Sequence, residues 1–295
     1  MFASMLEHMT NGQGFIAALD QSGGSTPKAL TLYGIGPDSY NGDDQMYELV
    51  HAMRERIVTS PAFTGKHILG AILFEKTLAR TFAGQPAADY LWEVKRVVPF
   101  LKVDKGLADE EQGVRLMKPM PDLDDVLERA KAARVFGTKM RSVISSADPD
   151  GIAAIVDQQF GVGRRIAAAG LVPILEPEID IKAADKGACE ELLMDAIGRH
   201  LLAGDVGGPI MFKLTIPEVD GFYTPLIEHP EVVRVVALSG GYSRAEANER
   251  LARNPGLIAS FSRALTEGLR ADMTPEEFDK ALDASITSIY EASTT

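Results

Sequence analysis

The sequence predicts an α/β fold, a (β/α)8 or TIM barrel formed as a single domain over residues 1–295. Three observations predict it. Eight short, apolar, β-rich runs alternate with helical patterns along the chain. No Pro/Gly/Ser-rich linker divides them. The length of 295 residues accommodates one barrel, whose usual size is roughly 250 residues. The apolar runs are near-continuous rather than strictly alternating, which suits parallel strands covered by helices. A doubly wound sheet would require a Gly-rich first turn, but "GFIAALDQSGG" lacks GxGxxG, and "GVG" at 161–163 lies inside a helical pattern.

The eight runs are "GFIAALD" (14–20), "HILGAILF" (67–74), "PFLKVDKG" (99–106), "VFGTKMRSV" (135–143), "LVPILEPEI" (171–179), "PIMFKLT" (209–215), "VVRVVALSGG" (232–241) and "GLIASFSRAL" (256–265). Between the first two, "DQMYELVHAMRERIV" places Met46, Leu49, Val50, Met53 and Ile57 on one helical face. "DLDDVLERAKAARV" opens with Asp122 as an expected N-cap, and "DGIAAIVDQQFGVGRRIAAAG" supplies the helix after the fourth run. Ser243-x-x-Glu246 and Thr274-Pro275-Glu276-Glu277 match the capping-box pattern. The second of these begins a final amphipathic helix through Phe278, Leu282, Ile286 and Ile289.

Composition narrows the function. With 45% hydrophobic and 24% charged residues, the chain is ordinary for a globular protein with a full core. A net charge of −12 argues against a nucleic-acid partner. The single cysteine, Cys189, excludes an intrachain disulfide framework and fits a reducing cytoplasm. "MFASMLEHMT" has no basic n-region and does not read as a secretory signal. The longest apolar stretch, "IAAAGLVPIL", is far short of the ~18 residues of a membrane span. A soluble, cytoplasmic protein is expected, with no membrane partner; its oligomeric state stays open, a homo-oligomer included.

In a barrel of this kind, chemistry sits at the C-terminal ends of the strands. Those ends carry Asp20 on strand 1, Lys102 and Asp104 on strand 3, and Lys139 and Arg141 on strand 4. Glu176 and Glu178 follow on strand 5, Lys213 on strand 6, Ser239-Gly240-Gly241 on strand 7 and Arg263 on strand 8. Each alone has a structural alternative: Lys102–Asp104 or Arg141–Glu178 could be ion pairs between barrel layers. Seven strands converging on one face point instead to a site. Lys213, within the apolar run "PIMFKLTI", is the misfit: an ammonium leaving water without a partner is costly, and a partly desolvated lysine is a candidate nucleophile. Glu176/Glu178 and Lys139/Arg141 are each two apart, so each pair shares one side of its strand, and such like-charge pairs require compensation. Five cations (Lys102, Lys139, Arg141, Lys213, Arg263) in an acidic protein imply a multiply anionic small substrate, and phosphate is the best match. "LSGGYSRAE" offers Ser239, Gly240, Gly241 and a capped helix start as a phosphate cradle. Of the five histidines only His67 touches a strand, at its start, so no histidine-held metal is expected at the mouth.

These residues resemble the class I, Schiff-base-forming fructose-1,6-bisphosphate aldolases from about Gly14 to Leu265. The matching segments are "GFIAALDQS", "GAILFEKT", "LKVDKG", "TKMR", "VPILEPEI", the Lys of "MFKL", "LSGG" and "SFSRAL". The resemblance implies a metal-independent lyase of glycolysis and gluconeogenesis, needing no cofactor. It cleaves fructose 1,6-bisphosphate reversibly to dihydroxyacetone phosphate and glyceraldehyde 3-phosphate. It implies Lys213 as the Schiff-base lysine and Glu176 as the principal proton donor and acceptor, with Asp20, Lys139 and Glu178 assisting. Ser239, Gly240 and Arg263 would hold one phosphate, while Ser22, Ser25, Lys102 and Arg141 match positions serving the other end of the substrate. The chain departs from the pattern in three places. "SFSR" replaces the usual Tyr and Gly before the arginine, and Gln21 stands where animal-type enzymes carry an acid. The chain ends at "SIYEASTT" without a long tail bearing a terminal Tyr, and Tyr290, inside the final helix, is not an evident substitute. The rival readings are a Schiff-base aldolase for another phosphosugar, such as tagatose bisphosphate, and a non-catalytic phosphosugar-binding protein.

Overall fold

A computed structural model of the chain describes residues 1–295. Eight strands form the barrel: β1 Phe15–Leu19, β2 Ile68–Leu73, β3 Val98–Lys102, β4 Gly137–Ile144, β5 Val172–Ile179, β6 Ile210–Thr215, β7 Val232–Leu238 and β8 Ile258–Phe261. All eight coincide with the apolar runs of the sequence. They pair in parallel from β3 through β2, β1, β8, β7, β6 and β5 to β4. The ring closes where β3 meets β4 through Phe100–Gly137, Leu101–Thr138 and Lys102–Lys139.

Two glycines make that closure possible. The Phe100 ring fills the barrel interior so tightly that a Cβ on Gly70 or Gly137 would lie 2.9 Å from it. The interior near Phe100 is otherwise apolar, with Ile16, Ile72, Val98, Val172, Ile174, Met211 and Val236 packed together. The N-terminal helix, Phe2–Asn11, inserts Met5 and Met9 into the same cluster and plugs that end of the barrel. Its C-terminal carbonyls are held by Arg234 of β7, which donates to Met9, Thr10 and Gly12 at 2.7 Å each. Plugging one end leaves the opposite end as the open one.

The outer helices include Gly42–Thr59, Leu123–Ala132, Pro149–Ala168, Lys186–Leu202, Arg244–Ala252 and Pro275–Ala292. Two local expectations are corrected and a third is met. Asp122 occupies the N-cap position but caps nothing with its side chain, which reaches Lys105 at 3.1 Å instead. The box at Ser243 is half formed: Ser243 accepts from the Glu246 amide, while the Glu246 carboxylate turns to Arg250. Thr274 and Glu277 form the complete box. After β6 the outer layer thins to one turn, Thr224–Ile227, because Gly221 and three prolines interrupt the segment 217–230.

In Gly42–Thr59 the buried face carries Met46, Val50, Met53 and Ile57 as expected, but Leu49 is only half-buried and Arg54 is fully buried. No helix is long and apolar enough to cross a membrane.

Candidate active site

The open end of the barrel holds a cavity of about 680 Å³. Asp20, Ser22, Ser25, Lys102, Lys139, Arg141, Glu176, Glu178, Lys213, Ser239, Gly240 and Arg263 all line it. Gly241 lines a smaller neighbouring cavity of about 310 Å³ that shares Arg141, Glu178, Gly240 and Arg263 with the first. Every residue singled out from the sequence therefore lies at this end. No group of three His, Cys, Asp or Glu side chains converges anywhere as a metal site.

Depth within the barrel separates them. Lys139 and Lys213 do not end their strands: β4 runs on to Ile144 and β6 to Thr215. Both ammonium groups consequently sit deep, with Lys139 2% and Lys213 5% exposed. Glu176, at 3%, lies between them. Its Oε1 is 2.9 Å from Lys213 Nζ and its Oε2 is 2.8 Å from Lys139 Nζ. Lys139 continues to Asp20 Oδ2 at 2.7 Å. The floor of the cavity is thus a line of alternating charge, Lys213–Glu176–Lys139–Asp20.

This alternation sets the protonation states. Burial alone would raise the Asp20 carboxyl, but Lys139, Lys213 and Lys102 outweigh it and hold that carboxyl well below its usual range. Glu176 follows the same balance: burial opposes ionisation, and Lys139 and Lys213 more than compensate, so its pKa is lowered. Burial would lower the Lys139 pKa, yet Asp20, Glu176 and Asp104 hold it above the ordinary lysine value. At neutral pH Lys139 is a fixed cation between two fixed anions.

Higher in the cavity, both structural ion pairs considered from the sequence are formed. Lys102 donates to Asp104 Oδ1 at 2.6 Å and to its backbone carbonyl at 2.8 Å. Arg141 donates through Nε to Glu178, and that partnership, against the cost of burial, raises its pKa. The five-cation argument is corrected accordingly. Seven basic side chains and four carboxylates line the larger cavity, an excess of three positive charges in an acidic chain. Four of the five cations named from sequence are neutralised internally, and only Arg263 has neither hydrogen bond nor ion pair through its side chain.

Two further cations of the cavity without an ion pair, Lys28 and Arg115, escaped the sequence reading; Arg115 donates through Nε to the Ala108 carbonyl at 2.9 Å. Lys28 lies on the helix Ser25–Leu32, beyond the end of β1. Arg115 is brought in by a two-residue strand, Val114–Arg115, which pairs antiparallel with the end of β4. Neither lies on a barrel strand, so a search of strand ends could not find them.

The loop after β7 is a tight turn closed on the Ser239 carbonyl. The amides of Gly241 and Tyr242 both turn back to the Ser239 carbonyl, at 2.6 and 2.9 Å. Gly240 has φ +59°, and a Cβ there would lie 2.4 Å from Ile181 Cγ2. Only glycine fits that turn. The Arg263 Nη2 approaches Gly241 to 3.5 Å of where its Cβ would be. After β1, Ser25 Oγ accepts from the Ser22 amide and donates to the Ser22 carbonyl, fixing a turn that also lines the cavity.

Arg54 and Ser262 were missed, and Gln21 was noted only as a departure from the family pattern. Gln21 and Ser262 line the cavity, and Arg54 lies behind them. The signal for Arg54 was available: it adjoins Met53 and lies four residues after Val50, inside an apolar stripe. Tyr290 is far from the cavity, packed against His67 at the start of β2, with ring centroids 4.5 Å apart.

Comparison with known proteins identifies the family. The family model "Fructose-bisphosphate aldolase class-I" matches residues 3–190. A fructose-bisphosphate aldolase class 1 from Synechocystis is 61% identical over 290 residues, covering 98% of this chain and 97% of the relative. One from Clostridium acetobutylicum is 57% identical over 295 residues and covers both chains fully. Fructose-bisphosphate aldolase from Plasmodium falciparum, at 20% identity, shares the fold with a TM-score of 0.73, covering 100% of this chain and 95% of that one. With a family model over more than half its length and full-length relatives above 50% identity, this chain belongs to the class I fructose-bisphosphate aldolases.

Proposed function

We propose that the protein cleaves fructose 1,6-bisphosphate reversibly to dihydroxyacetone phosphate and glyceraldehyde 3-phosphate, through a Schiff base on Lys213. The observation that carries this reading is the buried contact between Lys213 Nζ and Glu176 Oε1, 2.9 Å long, at the floor of a cation-rich cavity.

Attack on the C2 ketone requires an uncharged amine. Glu176, ionised in the resting site, accepts the Lys213 proton across that contact. Loss of the Lys213 charge removes one of the three cations, with Lys139 and Arg141, that depress the Glu176 pKa. Glu176 is then a better acid, suited to protonate the carbinolamine hydroxyl so that water leaves. The resulting iminium draws electrons from the C3–C4 bond. Asp20, kept ionised by Lys139, takes the C4 hydroxyl proton as the bond breaks and the aldehyde product departs. The remaining enamine is reprotonated at C3, and water releases dihydroxyacetone phosphate. Each general acid–base step contributes roughly 10²–10⁴-fold.

Ser239, Gly240, Gly241 and Arg263 hold one phosphate. Ser22, Ser25, Lys102 and Arg141 serve the other end, with the last two delivered already paired. Glu178 acts by orienting Arg141. In a native protein, borohydride reduction with dihydroxyacetone phosphate labels Lys213, and Lys213→Met abolishes both labelling and cleavage. Labelling at Lys102 or Lys139 would overturn the assignment.

A further inference from the structure

Arg54 has no task in the scheme above, yet it is 1% exposed and reaches the back of the site. Its Nη2 donates to the Gln21 carbonyl at 2.5 Å and to Gln21 Oε1 at 3.2 Å. Its Nη1 donates to Thr77 Oγ1 at 2.7 Å. Gln21 in turn donates through Nε2 to Ser262 Oγ at 2.7 Å. One guanidinium therefore ties the loops after β1 and β2 together, and through a single amide side chain ties both to the loop after β8. These three strands are neighbours in the barrel, β2–β1–β8.

The arrangement is a costly one for stability alone. Arg54 makes no ion pair, and its buried Nε has no hydrogen-bond partner. Burial pushes its pKa down to about 10, with Asp20 and Tyr47 opposing. A buried cation held only by neutral acceptors is weakly justified as packing. What it touches is specific: Gln21 follows Asp20, and Ser262 precedes Arg263. Asp20 is the first residue beyond β1, so the ladder does not fix its backbone, whereas the bond from Arg54 to the next carbonyl does.

We propose that Arg54 is a positioning residue, acting through Gln21 to hold Asp20 at its proton-transfer position and to couple that position to the Ser262–Arg263 phosphate loop. This rests on the Schiff-base reading above, in which Asp20 serves C3–C4 cleavage but is not needed for imine formation with dihydroxyacetone phosphate. Displacing a reacting group by an ångström costs on the order of 100-fold.

The test compares bisphosphate cleavage with borohydride trapping of dihydroxyacetone phosphate in parent, Arg54→Met, Gln21→Leu and Gln21→Glu proteins. Gln21→Leu and Arg54→Met should lower kcat for cleavage roughly 10–100-fold while trapping at Lys213 continues at close to the parent rate. Gln21→Glu should recover most of the loss, since a carboxylate accepts from Arg54 and from the Ser262 hydroxyl. Gln21, half-exposed at the cavity, also serves if Arg54→Met fails to fold. Parent-like cleavage in Gln21→Leu, or equal slowing of cleavage and trapping, would overturn the positioning role. Failure of the parent itself to trap at Lys213 would overturn the underlying reading instead.

Discussion

Glu176 and Lys213 meet 2.9 Å apart with neither side chain more than 6% exposed; in the proposed scheme the proton exchange between them is shielded from bulk water. Replacing Glu176 with Gln keeps the shape and removes the exchange. Cleavage in Glu176→Gln should fall about 10²–10⁴-fold, and imine trapping should slow with it, because carbinolamine dehydration needs an acid. Phosphate-ester affinity should be retained. Stopped trapping assays at several times, set beside binding measurements, check both halves. A parent-like trapping rate would move the acid to another residue.

Lys139→Met should change the pH dependence of stability as well as activity. In the parent, Asp20 and Glu176 have folded-state pKa values depressed below those of the unfolded chain. Their stabilisation is fully present above the unfolded values, about 3.9 and 4.3, and is lost as pH falls through the folded ones. Without Lys139, burial dominates and both pKa values rise, so much of that contribution disappears at neutral pH. The gap in Tm between parent and variant should therefore be widest near pH 7 and narrow toward pH 4. The acidic limb of cleavage activity should move to higher pH. A Tm gap independent of pH would show that Lys139 does not govern these carboxylates.

Arg263→Ala should weaken sugar-bisphosphate binding with little effect on folding, since the side chain is exposed and unpaired. A charge-assisted hydrogen bond contributes about 1.5–3 kcal/mol, or roughly 10–150-fold in affinity. Gly240→Ala should act in the same direction, because the added methyl would collide with Ile181 and shift the cradle. Calorimetric titration of the Lys213→Met protein carrying each change separates binding from turnover. Parent-like affinity in both would relocate the phosphate.

The barrel, its eight strands and the open-end residues were legible because each depends on local pattern. An apolar run buried on both faces has to be read as a strand whatever its neighbours, and a lysine or glutamate inside one is conspicuous. Lys213, Glu176, Lys139 and Asp20 were found in this way. Charge balance was not legible, since two residues apart on one strand says nothing about which partner lies across the barrel. Lys139 and Lys213 counted as free cations until Asp20 and Glu176 were seen against them.

By itself the sequence determined the order of strands along the chain, the end at which polar groups gather and which charged side chains line it, because strand periodicity and burial are encoded residue by residue. Only the tertiary structure decided which charges remain free. Lys28 and Arg115 enter from a loop helix and a two-residue strand, and Arg54 reaches Gln21 from a helix 33 residues further along the chain. Coulomb and hydrogen-bond energies depend on distances of a few ångströms between groups remote in sequence. Closure of the barrel sets those distances.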